Sequence, residues 1–339
     1  MDFLLDIASF AIKAALIVAA IGFVIALIVR RAKGGKDVDD LQITCLNDRY
    51  DDREAELNGE ILPAKAAKAL AKTRRKAAKQ TPPQDERKRI YVVDFDGDTA
   101  AATVKQLADQ VDALLMVARP GTDEIVVRVE SPGGTITGYG LAAAQLLRLR
   151  AAKLALTVCV DQVAASGGYM MACTAEKIVA APFAVVGSIG VLAQVPNLNK
   201  LLRKNDIDYE EFTAGEFKRS VSLLGEITPA GRAHFRQKLD AAHVAFSAFV
   251  ARNRPQLDIA KVANGDFWHG EEALGLGLVD ELMASDDYLF RARSEARIFK
   301  VALEQKKTLV QQVIDGLGLA FEAALARLLS RAGPGDFSI

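Results

Sequence analysis

Apolar and polar positions change period several times along the chain, and each change predicts an element. Ile90–Phe95 is a short, nearly unbroken apolar run, the pattern of a buried strand, whereas Val104–Arg119 spaces its apolar residues as one face of a helix. Glu124–Val129 returns to a strand pattern and Tyr139–Arg150 to helical spacing. Leu154–Val160 is a third buried strand, followed at once by a turn at Ser166 and a helix through Cys173. Ile178–Ala181 and Ile189–Val195 add strand candidates, and Pro229–Arg252 is a long helix with Pro255 punctuating its end. Ala263–Leu282 is a compact, turn-rich stretch in which Gly275 and Gly277 fit a helix stop leading into a short strand. Strands alternating with helices in this way predict an α/β fold.

The N-terminus follows a different rule. Ala14–Val29 carries no charge, and with the stretch back through Lys13 to Ser9 it reaches about the 20 residues that cross a bilayer. In a cleaved signal peptide the charges precede the apolar run. Here Arg30, Arg31, Lys33 and Lys36 follow it, and no small-residue cleavage site is clear. A helix packed by one face against a core would show a polar face, which this run lacks. The expectation is a membrane anchor over residues 1–30. The basic cluster behind it favours a cytoplasmic position for the rest of the chain.

A charged stalk is expected over residues 31–89. Its first part is acidic, with Asp37, Asp39, Asp40, Asp48, Asp51, Asp52, Glu54, Glu56 and Glu60 against Arg49 and Arg53. From residue 65 to 89 the sign reverses, with ten Lys/Arg against Asp85 and Glu86. The Ala/Lys run Pro63–Gln80 is helical by propensity and stops before Pro82-Pro83. Such a run serves either as a solvated linker helix or as a basic stalk on anionic headgroups. It has no interleaved aromatics to suggest nucleic acid. At the other end, residues 301–339 hold an apolar stripe at helical spacing (Leu309, Val313, Leu317, Phe321, Ala324 and Leu328), suited to core packing, subunit contact or, less well, a membrane surface.

Composition narrows the classes further. Half of the 339 residues are apolar, which allows a substantial core, and 43 Lys+Arg balance 43 Asp+Glu, which argues against a nucleic-acid binder. The three cysteines, Cys45, Cys159 and Cys173, have no metal-ligand spacing and no disulfide framework.

The most informative stretch is Ala164-Ala165-Ser166-Gly167-Gly168-Tyr169, with one serine where a strand turns into a helix and residues of minimal side chain around it. A nucleophile needs such neighbours, because the substrate carbonyl must approach the backbone and an amide N–H must be free for the oxyanion. Its hydroxyl also needs a base. His234, His243 and His269 belong to no recognisable triad motif, and there is no Gly-x-Ser-x-Gly elbow. Lys218, among Ala214, Gly215 and Phe217, is the better candidate, since burial lowers a lysine pKa toward the range useful for proton abstraction.

Ala165-Ser166-Gly167-Gly168-Tyr169, Ser131-Pro132-Gly133-Gly134, Val186-Gly187-Ser188-Ile189-Gly190-Val191 and Gly215-Glu216-Phe217-Lys218 together resemble the signal peptide peptidase A family. They look closest to its SohB branch of bacterial inner-membrane proteases. The similarity runs from about Ile90 to Leu282, within a peptidase domain spanning 90–300. The resemblance implies a ClpP/crotonase-type fold and a Ser–Lys dyad working without metal or organic cofactor. Ser166 matches the nucleophile, Lys218 the general base, and Ser188 the serine that orients the lysine. Gly133, Gly134 and Gly167 match the segments whose amides form the oxyanion hole. It further implies ring- or dome-shaped homo-oligomers with the dyad shared between neighbouring chains, and peptide substrates such as signal-peptide remnants. Two other classes share parts of this pattern: a crotonase-like acyl-CoA enzyme, and a non-catalytic membrane scaffold that keeps a protease fold.

Overall fold

The computed structural model describes residues 40–80 and 87–304. Apart from their outermost residues these lie in one compact unit, Gln42–Ala302. The expected anchor around Ala14–Val29 and the stripe from Leu309 to Leu328 lie outside the described residues. Within the described residues, no helix is long and apolar enough to cross a membrane.

The chain opens with β1 (Asp40–Cys45), α1 (Leu46–Ile61) and α2 (Ala64–Gln80), then enters β2 (Lys88–Asp96), α3 (Val104–Val117), β3 (Glu124–Glu130), α4 (Ile136–Ala151) and β4 (Ala155–Val160). A short β5 (Val163–Ala165) and α5 (Gly167–Ala172) flank Ser166, and β6 (Lys177–Ala180), β7 (Val185–Gly187) and α6 (Asn199–Lys204) follow. The remainder is α7 (Pro229–Asn253), α8 (Ile259–Val262), β8 (Phe267–His269), α9 (Gly270–Gly275), β9 (Glu281–Leu282), α10 (Ser285–Ala292) and β10 (Ala296–Glu304).

Seven strands form one sheet in the order β1-β10-β2-β3-β4-β6-β9, and three form a second in the order β5-β7-β8. From β10 to β9 every pairing in the large sheet is parallel. Parallel strands need both faces covered, and the side-chain alternation provides for this. Tyr91, Val93, Phe95, Val127, Val129, Leu156 and Val158 join a large core with Leu107 and Leu114 of α3, Leu146 and Leu149 of α4, and Val250 of α7. Ile90, Val92, Val126 and Val179 point the other way and meet Leu46 of α1 and Leu289 of α10. Each fully buried Leu, Val or Phe of this kind stabilises the fold by about 1.5–3 kcal/mol.

The expected α/β alternation is therefore present. Three local features depart from expectation. The strand placed at Ile189–Val195 is irregular, and the strand of this region is Val185–Gly187 instead. Gly187 (φ +97°) and Ser188 (φ +52°) leave the extended conformation there, and the Ser188 amide bonds out of line to Asp266 O at 2.6 Å. Leu154–Val160 does not run straight into the Ser166 turn. The chain bends at Asp161–Gln162 and starts β5, which belongs to the other sheet.

The third departure is the acidic stretch, which holds a strand and a helix rather than a plain linker. Its anchor is Asn47, a buried side chain whose amide nitrogen donates to Arg293 O (3.1 Å) and Ala296 O (3.0 Å) while its oxygen accepts from Ile298 N (2.8 Å). One short polar residue thereby satisfies three backbone groups at the start of β10.

Two measurements follow from this packing. Asn47→Ala leaves those groups buried without partners and should lower stability by about 2–4 kcal/mol, read as a lower urea midpoint through Trp268, the only tryptophan. The second is acid sensitivity. Burial opposes ionisation of Asp94, Asp123 and Glu124, but hydrogen bonds and ion pairs outweigh it, from Arg128 and Lys300, from Arg119 and two backbone amides, and from Lys88, Tyr288 and Thr157 respectively. All three carboxyls are thus held below their ordinary values, so their contribution is present above the normal carboxylate range and is lost as pH falls through the lowered folded-state values. Stability should decline below about pH 4, and Asp123→Asn should flatten that acid limb.

Candidate active site

Two sheets meet where β3 ends, and the serine turn sits on that seam. Ser131, the residue after β3, bridges to Ala164 of β5 in parallel register: its amide donates to Val163 O (2.8 Å) and its carbonyl accepts from Ala165 N (3.0 Å). One residue beyond β5 is Ser166, half-buried, with φ +52° and ψ −113°. A non-glycine residue there carries strain of order 1–3 kcal/mol, which the surroundings must impose. They do so from both sides. The Ser166 amide donates to Gly187 O at 2.8 Å, and its carbonyl accepts Met170 N at 2.9 Å in the first turn of α5.

Gly187 is itself pressed against the Trp268 ring, where a Cβ would lie 2.7 Å from the nearest ring atom. Trp268 in β8 thus holds Gly187, Gly187 holds Ser166, and Ser188 follows directly in the same turn. The strained serine is built into the second sheet.

The glycines expected beside Ser166 are brought to it. Gly133 has φ +93°, and a Cβ there would lie 2.7 Å from both Gly167 N and Ser166 Cβ. Only glycine allows this backbone to approach so closely. A Cβ on Gly167 would run into the Tyr139 ring at 2.3 Å, and one on Gly134 into Thr99 O at 2.1 Å. The three segments are packed backbone against backbone and ring.

Their amides are not equivalent. Gly133 N–H already donates to Ser131 Oγ at 3.1 Å. Among the described residues no acceptor faces Gly134 N–H or Gly167 N–H. Gly167 directly follows Ser166 and Gly134 directly follows the Gly133 packed against it, and unspent amides are the kind of donor that stabilises a developing oxyanion.

A buried network that the sequence did not reveal holds this arrangement. Ser131 Oγ bonds to Gly97 O (3.0 Å) and to the Tyr139 hydroxyl, which also donates to Asp98 O (2.7 Å). Burial pushes the Tyr139 phenol above its usual pKa, aided by the Asp98 and Asp96 charges and opposed by Ser131. Tyr139 therefore stays neutral, bracing Gly167 with its ring and the 97–98 loop with its hydroxyl. Nothing in its position on an otherwise ordinary helix pattern distinguishes it.

Lys218 stands apart from this cluster. It is exposed, in a turn after Gly215 (φ +96°), and its amide donates to Gly215 O at 3.2 Å. Among the described residues its ammonium has no hydrogen bond or ion pair, and the single chain makes no bond between Lys218, Ser188 and Ser166. The histidines are occupied elsewhere: His243 Nε2 at Ala263 O (2.8 Å), His269 Nδ1 at Phe183 O (3.1 Å), and His234 stacked on Phe217. None meets Ser166.

A separate cavity of about 180 Å³ lies near the ends of β2–β4, lined by Asp94, Asp96, Arg128, Glu130 and Asp161 among others. It contains none of Ser166, Gly133, Gly134 or Gly167. Among the described residues no group of three or more His, Cys, Asp or Glu could hold a metal ion.

Comparison with known proteins places the chain in a family. Residues 148–298 match the model of "Peptidase family S49" and residues 2–146 that of "Peptidase family S49 N-terminal". The probable protease SohB of Haemophilus influenzae is 50% identical over 230 residues, which cover 68% of this chain and just under two thirds (65%) of that relative. The putative protease SohB of Buchnera aphidicola subsp. Baizongia pistaciae is 38% identical over 327 residues, 92% of this chain and 93% of the relative. Protease 4 of Salmonella typhi is 28% identical over 243 residues, 70% of this chain but only 38% of its own length. With two adjoining family models and a SohB relative matched almost end to end, the chain belongs to peptidase family S49, the signal peptide peptidase A family, and is SohB-like within it.

Proposed function

We propose that the protein is a membrane-anchored serine endopeptidase in which Ser166 is the nucleophile and Lys218 the general base. The observation that carries this is the backbone of Ser166: a non-glycine residue at φ +52°, locked between Gly187 and α5, with the Gly167 amide unspent next to it and Gly133 packed against it. Packing alone does not require a serine to be strained and open at once.

In the proposed cycle neutral Lys218 takes the Ser166 proton as Oγ attacks a peptide carbonyl. Gly134 and Gly167 N–H receive the oxyanion, and Gly133 keeps the loop close. The Lys218 ammonium then protonates the leaving amine, and water, activated by the same lysine, hydrolyses the acyl-enzyme. Ser188 orients the lysine amine. A solvent-exposed lysine is a poor base at neutral pH, and Lys218 is exposed in the single chain. The reading therefore includes assembly into a homo-oligomer, a ring or dome, in which a neighbouring subunit shields Lys218 from water. The ClpP/crotonase-type fold implied by the resemblance is in keeping with the parallel sheet and its small companion sheet.

Substrates on this reading are extended peptides, such as signal-peptide remnants or misfolded membrane and envelope proteins, laid beside Gly133–Ile136 by strand addition. The uncharged stretch Ala14–Val29 supports a single-pass anchor in the bacterial inner membrane.

Peptide hydrolysis by the assembled protein tests this. Ser166→Ala and Lys218→Ala should each lose about 10³-fold or more in kcat, and co-assembled mixtures of the two should regain part of the activity. Loss without recovery in confirmed mixed assemblies would place the dyad within one chain. Full activity in either single variant would end the proposal.

A further inference from the structure

Building on the proposed dyad, we propose that His234 is a positioning residue for Lys218 and acts through the Phe217 ring. The lysine lies in a stretch of about two dozen residues, 205–228, without helix or strand. Its own turn is weakly made. The Lys218 amide reaches Gly215 O only at 3.2 Å, and a Cβ on Gly215 would meet nothing within 4 Å, so the base of the turn is open. Something else must fix the lysine backbone.

The fixing surface is the first turns of α7. Phe217 stacks on the imidazole of His234 with centroids 4.0 Å apart and planes 12° from parallel. On the other side of the lysine, Ser220 O packs on Gly231, where a Cβ would lie 2.4 Å away. Gly231 and His234 are three residues apart and share one face of the helix. Lys218 is therefore bracketed by two contacts, at Phe217 and Ser220, made to a single helical face.

That face is rigid. Thr228 caps α7 by accepting Gly231 N at 3.0 Å, Pro229 begins it, and Phe246 and Val250 bury its far half in the core. The adjoining loop is tied separately: Glu211 binds Arg219 (3.3 Å), Ser222 (3.3 Å) and Tyr209 (2.8 Å), and Asn197 donates to Ser222 O and Gly225 O. None of those ties touches Phe217. Glu211 holds Arg219 on one side of the base, and the His234 ring supports Phe217 on the other; that role needs a flat ring, with no proton transfer.

The test compares His234→Leu, which keeps bulk but loses the ring, with His234→Phe, which keeps the ring but loses the imidazole, and with Lys218→Ala. All are assayed as the assembled full chain on one peptide, with oligomer size and thermal midpoint recorded. His234→Leu should lower kcat about three- to tenfold with KM within twofold, as expected for an aromatic contact that only places the base. His234→Phe should restore kcat. A wild-type kcat in His234→Leu overturns the proposal, as does a His234→Phe as impaired as His234→Leu, or a loss confined to KM. If His234→Leu fails to assemble, the ring serves folding and the proposal falls. The dyad has its own arm: activity retained in Lys218→Ala refutes the base itself, whereas loss there with normal His234→Leu refutes only the positioning.

Discussion

The parallel bridge between Ser131 and Ala164 is the contact on which the site depends. Two backbone hydrogen bonds, 2.8 and 3.0 Å, bring the end of one sheet onto the first strand of another. Once the chains are that close, side chains are excluded at Gly133 and Gly167, and the residue after β5 has nowhere to go but a left-handed φ. The strain at Ser166 is thus a consequence of the seam, sustained by a core in which Tyr139, Tyr169 and Trp268 are packed below or beside it.

The proposed nucleophile and the proposed base rest on unlike foundations. Ser166 is fixed by sheets, helix α5 and buried rings, all deep in the large core. Lys218 is held through its neighbours, by one ring stack and one carbonyl contact on the outside of α7 and by the Arg219–Glu211 ion pair. Such a division would suit the proposed assembly, in which the Ser166 turn is complete within one chain and Lys218 gains its surroundings from a neighbour.

Several parts of this were legible in the residues. The helix over Val104–Val117 and the strand over Glu124–Glu130 came through because burial on one or both faces imposes a period that the sequence must carry. The acidic stretch before Pro63 was opaque for the opposite reason. Most of its charged side chains are exposed, and Asn47, which helps to dock it, is a polar side chain whose meaning lies in three carbonyl and amide groups about 250 positions away. The Ile189–Val195 run looks like a strand because it is apolar, yet the positive φ at Gly187 and Ser188 turns the chain before it begins.

The sequence by itself determined the α/β alternation, the family, and the identity of the small residues around Ser166, because close backbone approach leaves glycine as the only solution and glycine is visible in a sequence. Only the tertiary structure decided how those residues divide the work. Gly133 N–H is taken by Ser131 Oγ, which leaves Gly134 and Gly167 as the free donors. Tyr139 and Trp268 act as supports, although each looks like an ordinary core aromatic in the sequence. His234 lies beside the proposed base instead of the nucleophile. Direction of an amide, contact with a ring and distance between distant segments are properties of the folded arrangement, and no local pattern of residues encodes them.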